Sequence, residues 1–173
     1  HIICDKPIGM SSEEAIDLKK IIESKKLIFA LTHNYTGYPM VRHARSLVQK
    51  GDLGSLRVIQ AEYPQDWLTT KAEDSGLKQA VWRTDPNRSG AGGCIGDIGT
   101  HAYNLIRFIT GLEVDEISAD IHTFVEGRKL DDNAQIMLRF IGGAKGSIWS
   151  SQVAVGNENC LLYTSDAADD CWS

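Results

Sequence analysis

Twelve residues carry the densest chemistry in this chain: Gly90-Ala91-Gly92-Gly93-Cys94-Ile95-Gly96-Asp97-Ile98-Gly99-Thr100-His101. They form a glycine-rich approach to a helical pattern that holds a carboxylic acid and an imidazole four positions apart. Residues i and i+4 of an α-helix lie one above the other on one face, so Asp97 and His101 are predicted to touch. Glycines let the backbone come close to a neighbour and leave space beside it. A carboxylate beside a histidine raises its basicity and fixes its ring. An imidazole with an ordinary pKa of about 6.5 suits proton transfer near neutral pH.

Such a pair needs a fold to hold it. The chain has 173 residues, 42% hydrophobic and 24% charged, enough for a soluble globular domain with a real core. Its net charge of -5 argues against nucleic acid and anionic membrane as main partners. The basic pairs Lys19-Lys20 and Lys25-Lys26 read as solvated helix face. Four cysteines (Cys4, Cys94, Cys160, Cys171) form no CxxC pair. They are expected to be unpaired thiols in a reducing, cytoplasmic compartment, with neither a disulfide framework nor a zinc site. No segment reads as a signal peptide or as an apolar run long enough to span a bilayer.

The element pattern falls into two parts. His1 to Cys4 reads as a buried strand. A helix follows, capped by Ser11 or Ser12 and running to about Lys26, with Ser11 and Glu14 at capping-box spacing and Ala15, Leu18, Ile21 and Ile22 on one apolar face. Leu27 to Thr32 reads as a second strand. This order predicts a βαβ unit with a parallel sheet, the tail of a doubly wound domain. A second helix is predicted over 39–50, with Pro39 in its first turn, Gly51 past its end, and Val41, Ala44, Leu47 and Val48 as its stripe. A strand begins at Leu56. Residues 66–90 read as a long irregular stretch, functional or mobile. The glycine-rich segment then opens a helix over 95–110, closed by Gly111. Strands are predicted at about 114–125, 132–141 and 145–155, the last two joined by a turn at Gly142-Gly143.

The fold class expected is α/β followed by α+β. Residues 1–35 are read as the C-terminal remnant of a Rossmann domain, and 36–160 as an α/β domain on a largely antiparallel open sheet. Residues 161–173 break the pattern. Leu161-Leu162-Tyr163-Thr164-Ser165-Asp166-Ala167-Ala168-Asp169-Asp170 closely resembles the translated read-through of a sequencing adaptor. This segment is expected to be a non-native tail, with the natural frame lost near Cys160. No initiator methionine precedes the first strand, so a further N-terminal part is expected.

Several motifs converge in collinear order over about residues 1–160. Asp5-Lys6-Pro7 follows a strand, Trp82-Arg83 stands upstream of the glycines, and Asp97 and His101 open the helix. Leu130-Asp131-Asp132-Asn133-Ala134 precedes a strand, and Gly156-Asn157-Glu158-Asn159 lies near the end. Together they resemble the glucose–fructose oxidoreductase / inositol dehydrogenase / rhizopine-catabolism family (Gfo/Idh/MocA). The resemblance implies a Rossmann domain paired with an open-sheet α/β domain, and hydride transfer between NAD or NADP and a sugar, cyclitol or related alcohol. It implies that Lys6 and His101 are the catalytic pair, assisted by Asp97. Asp5, Lys6, Pro7, Trp82 and Arg83 are then cofactor-contacting positions. Asp5 is a mild departure, because the family usually has Glu there. The Gly-rich phosphate loop and the acidic ribose-binding residue of a first βαβ unit are not in this sequence. The chain is therefore expected to be an internal fragment, inactive alone, of an enzyme that forms a homodimer or tetramer.

In the implied reaction the nicotinamide takes the hydride and His101 takes the hydroxyl proton. Asp97 orients the ring, Lys6 favours the developing alkoxide, and Pro7 fixes the backbone beside it. Asn34, Tyr35, Asn104 and His101 are candidates to face the substrate. Plainer readings stand beside these. Asp97 by itself suits a helix N-terminus, and Lys6 before Pro7 reads locally as a surface lysine in a turn. Trp82 could be a loop anchor with Arg83 its solvent-facing neighbour, and Asn34, Tyr35 and Asn104 could cap or line loops. His33, His43 and His122 read as ordinary surface or strand residues. Two competing functions remain: a metal-dependent hydrolase or isomerase using Asp97 and His101, and a non-catalytic sugar-binding subunit. No third acid or histidine has metal-ligand spacing, so no metal site is expected.

Overall fold

The structure, a computed structural model, describes residues 1–155 and 160–165. The first part is β1 (Ile2–Asp5), α1 (Ser12–Ser24) and β2 (Phe29–Thr32), with β1 and β2 paired in parallel. Ser11 caps α1 by accepting from the Glu14 N–H, and the Glu14 carboxylate accepts from the Met10 N–H at 2.8 Å. This is a capping box reaching one residue further back than the usual form. Contrary to the sequence reading, β1 is not buried: Ile3 is 80% exposed, and Ile21 of α1 is also exposed. A two-stranded sheet offers too little surface to cover such residues among the described elements.

A 3₁₀ turn (Asn34–Gly37) leads into α2 (Pro39–Lys50), which ends at Gly51 with φ +79°. A left-handed C-cap of this kind favours glycine. The long strand β3 (Leu56–Pro64) follows. The stretch predicted to be irregular holds a 3₁₀ turn (Ala72–Ser75) and two short helices, α3 (Lys78–Arg83) and α4 (Pro86–Ser89). Arg128 anchors it. Its buried guanidinium donates to the Leu68 and Thr70 carbonyls and to the carboxylates of Glu73 and Asp132. Burial alone would raise the Glu73 pKa, but the bonds from Arg128 win and lower it. Asp132 is four residues from Arg128, but Leu68, Thr70 and Glu73 lie 55 to 60 residues away, so sequence spacing gave no sign of the tie to this stretch.

The predicted helix over 95–110 is two structures in series. Ile95–Gly99 is a π-helical turn, and α5 (Thr100–Thr110) continues from it. The strands β4 (Val114–His122), β5 (Asn133–Phe140), β6 (Lys145–Ser151) and β7 (Cys160–Ser165) complete a five-stranded sheet in the order β4-β5-β6-β3-β7. The turn after β5 places Gly142 and Gly143 at φ +96° and +97°, as a tight glycine turn requires. The sheet is largely antiparallel, as expected, but β3 pairs with β6 in parallel. The connection from β3 to β4, which carries α5, crosses over the sheet past β6 and β5.

The core lies between α5 and one sheet face. Ala102 and Ile106 pack on Ile59 and Ala61 of β3, Leu138 and Phe140 of β5, and Ile148 of β6. Burying the isoleucine, leucine and phenylalanine side chains among these stabilises by about 1.5–3 kcal/mol each. The opposite face carries Val58, Gln60, Ser147, Met137 and Arg139, with Met137 65% exposed. A smaller cluster of Tyr63, Cys94, Ile98 and Ala134 joins the core to the candidate site. No helix is long and apolar enough to cross a membrane among the described residues. Cys4 and Cys94 are free thiols. Gly156 to Asn159, and most of the predicted tail, lie outside the described residues.

Candidate active site

The π turn carrying Asp97 is held by one carboxylate. Asp131 accepts from the N–H groups of Gly93 (2.6 Å) and Ile95 (2.9 Å) and from the Cys94 thiol. Its carbonyl also accepts from the Cys94 N–H at 2.8 Å. Burial, with the Asp131 charge next, pushes the Cys94 thiol pKa up, so this cysteine is not a nucleophile. Only glycine fits at position 93, where a Cβ would sit 2.0 Å from the Asp131 carbonyl oxygen. The glycine-rich signal was therefore readable, but the carboxylate that explains it was not.

Lys6 arrives from the end of β1, where the Lys6–Pro7 peptide bond is cis. Its ammonium bonds the Asp97 carbonyl and stands 3.3 Å from Asp97 Oδ1. The other carboxylate oxygen accepts from Arg83 Nε at 3.1 Å and Gln152 Nε2 at 2.9 Å. Gln152 is buried, its own backbone bonded to Asp132 and Leu68. Asp97 thus grips two cations and an amide.

It makes no hydrogen bond with His101 among the described residues, which corrects the expectation of touching side chains. A π turn uses more residues per revolution than an α turn, so positions i and i+4 no longer superpose. The His101 ring instead packs edge-on to Tyr35, with centroids 4.7 Å apart, and faces Tyr63 and His33 at 6.3 and 6.4 Å. Tyr35 and Tyr63 share a hydroxyl hydrogen bond of 2.7 Å.

The expectation of raised basicity is overturned too. Burial, then the Lys6 ammonium, then His33 lower the His101 pKa to about 4, and the Asp97 carboxylate offsets only part of this. The ring is therefore neutral at neutral pH and able to accept a proton. His33, read as an ordinary strand or surface residue, lies partly buried beside it, and its buried Nδ1 has no partner among the described residues. Burial and Lys6 lower its pKa as well. His43 and His122 are exposed, as expected.

One cleft of about 940 Å³ gathers these groups. Its lining includes Asp5, Lys6 and Pro7, then Asn34 and Tyr35, then Trp82, Arg83, Asp97 and His101. Every predicted site residue is there except Asn104, which is not part of the lining. Trp82 lines the cleft with its ring 4.3 Å from the Arg83 guanidinium carbon, and the Trp67 ring, also on the cleft wall, lies 5.9 Å from the same carbon. Arg83 faces Asp97 and not solvent. Thr32 donates its hydroxyl to Asp5. Tyr63, Gln65, Asp66, Trp67 and Gln79 also line the cleft, and sequence reasoning missed all five. Alternation along β3 could have suggested Tyr63; the loop residues carry no such signal.

Fold and site together define an α/β scaffold with a lysine, an acid and a neutral imidazole in one cleft. The family described as GFO/IDH/MocA C-terminal domain matches residues 41–168, and the chain belongs to the Gfo/Idh/MocA family. The uncharacterized oxidoreductase YfiI of Bacillus subtilis is 30% identical over 158 residues, spanning 90% of this chain and 40% of that protein. An inositol dehydrogenase homologue of Azotobacter vinelandii, solved with NAD+, is similar at a TM-score of 0.90 and 27% identity, covering 96% of this chain and 43% of that one. A levoglucosan dehydrogenase in complex with NADH and levoglucosan is similar at a TM-score of 0.85 and 27% identity, covering 96% of this chain and 45% of that one. The chain spans less than half the length of each.

Proposed function

We propose that the protein carrying this chain moves a hydride between NAD or NADP and a secondary alcohol of a sugar, cyclitol or related polyol. The observation that carries this reading is the convergence of Lys6, Asp97 and His101 on one cleft, with Lys6 reaching Asp97 from 91 residues away. The relatives solved with NAD+ or NADH, and the oxidoreductase names they bear, support it.

The cleft suits the nicotinamide end of such a cofactor. Its volume lies within the roughly 300–1,000 Å³ of small-molecule sites, and aromatic rings flank polar groups along its walls. Asp5, Lys6, Pro7, Trp82 and Arg83 would face the cofactor. When bound, the nicotinamide supplies the hydride acceptor or donor. His101, neutral and half-enclosed by Tyr35 and Tyr63, takes the hydroxyl proton on oxidation and returns it on reduction. Lys6 places an ammonium where negative charge grows on the substrate oxygen. Asp97 holds Lys6 and Arg83 in place, a different role from orienting the imidazole. Asn34 and Tyr35 face the substrate.

In this reading β1-α1-β2 is the last unit of a Rossmann domain and the rest is the substrate domain. The enzyme is cytoplasmic and self-associates, a role for which the uncovered sheet face around Met137 is suited. A hydrolytic metal site at Asp97 and His101 has less support. Both Asp97 oxygens are already engaged, and no group of three His, Cys, Asp or Glu side chains stands together to hold a metal among the described residues. A sugar-binding subunit would bind polyol without turnover.

The test is Lys6→Met in the full-length protein, assayed by reduction of NAD(P)+ with a polyol panel. Turnover should fall at least about 100-fold with the fold intact by circular dichroism. Near-normal turnover overturns the role of Lys6, and no cofactor fluorescence change on mixing wild type with NAD(P)H overturns the dehydrogenase reading.

A further inference from the structure

We infer that Asp66 selects an uncharged polyol over its phosphate ester. The inference rests on the dehydrogenase reading above and deepens it, because it concerns which member of the polyol class enters the cleft.

Two cations line the cleft, Lys6 and Arg83, and Asp97 engages both. A phosphate group is held by unengaged cations or by a cradle of free backbone N–H groups. No unengaged Lys or Arg stands along the described lining. The remaining charged side chains there are carboxylates: Asp5, bonded to Thr32, and Asp66.

Asp66 stands at the head of the loop after β3, with an exposed side chain. Its backbone is fixed, since its carbonyl accepts from the Thr69 N–H at 3.1 Å and from the Thr69 hydroxyl at 2.9 Å. Its carboxylate has no partner among the described residues. The side-chain amides of Asn34 and Gln79, on the same lining, are likewise unpartnered. A free carboxylate on a fixed stretch of backbone and two free amides form a set of acceptors and donors for hydroxyl groups. The same carboxylate repels a dianionic phosphate in the same cleft. Selection of this kind works by penalising the wrong ligand as well as by rewarding the right one.

The experiment compares kcat and KM of the full-length protein and of Asp66→Asn for two pairs, myo-inositol with myo-inositol 1-phosphate and glucose with glucose 6-phosphate. Levoglucosan serves as a further neutral probe. Wild type should favour the neutral member of a pair in kcat/KM by about tenfold or more. Asp66→Asn should narrow that preference about tenfold, mainly through a lower KM for the phosphate, since asparagine keeps the shape and removes the charge. A wild-type preference for phosphates, or an unchanged ratio in the variant, overturns the inference and leaves the dehydrogenase reading standing. Absence of turnover with every probe, together with absence of NAD(P)H binding, overturns both.

Discussion

Acid should weaken this protein through His101, and the surroundings of the ring set the size of the effect. The residue is 8% exposed, and burial, then Lys6, then His33 lower its pKa to about 4. In the unfolded chain the ring takes its proton at about pH 6.5. The folded pKa lies below the unfolded one, so the contribution to stability is whole above about pH 6.5. It is lost as the pH falls towards about 4. At about 1.36 kcal/mol per pKa unit the complete loss is about 3 kcal/mol, and most of it, about 2.5 kcal/mol, is gone at about pH 4.5. The assay is urea unfolding of wild type and His101→Gln at about pH 7 and pH 4.5, with histidine ring resonances followed by NMR over the same range. Glutamine keeps a polar side chain and removes the titration. The variant should lose about 2–3 kcal/mol less than wild type between the two conditions. His33, lowered in the same direction by burial and Lys6, remains in both proteins. A His101 resonance titrating near the ordinary value, or identical pH dependence in the two proteins, would refute the account.

Asp97→Asn should destabilise by about 3 kcal/mol, because it leaves two largely buried cations, Lys6 and Arg83, without their counter-charge. A melting temperature within about 2 °C of wild type contradicts this. Two glycines of the same stretch should behave in opposite ways. Gly93→Ala drives a Cβ into the Asp131 carbonyl and should cost about 3 kcal/mol or more, whereas Gly96, with open space around its Cβ position, should accept alanine with no loss or with a gain of up to about 1 kcal/mol. Denaturant midpoints of the two variants decide the matter, and equal effects would show that the Asp131 contact does not hold the turn.

Local chemistry was legible where its partners lie within a turn or two. Ser11 and Glu14 announced the start of α1, Pro39 and Gly51 bounded α2, and Gly142-Gly143 marked the turn after β5. A cap or a turn is stabilised by neighbours in the chain, so residue order is enough to find it. The candidate site was legible in part, through the motif residues Lys6, Trp82, Arg83, Asp97 and His101. Their relations to one another were misread. Asp97 was assigned to His101, yet it serves Lys6, Arg83 and Gln152 across separations of 91, 14 and 55 residues.

The sequence by itself therefore determined α1, α2, the strands β1 to β6 and the glycine turn after β5, and the kinds of side chain available for chemistry, but not α3, α4, the π turn or β7. Tertiary structure alone decided that a π turn pinned by Asp131 separates the acid from the imidazole, and that the His101 ring is neutral, its pKa lowered by burial and by the Lys6 ammonium. The reason is physical. Helix and turn preferences depend on groups a few bonds apart, whereas charge pairing and proton affinity depend on distance through space and on exclusion of water, which exist only once remote segments have packed.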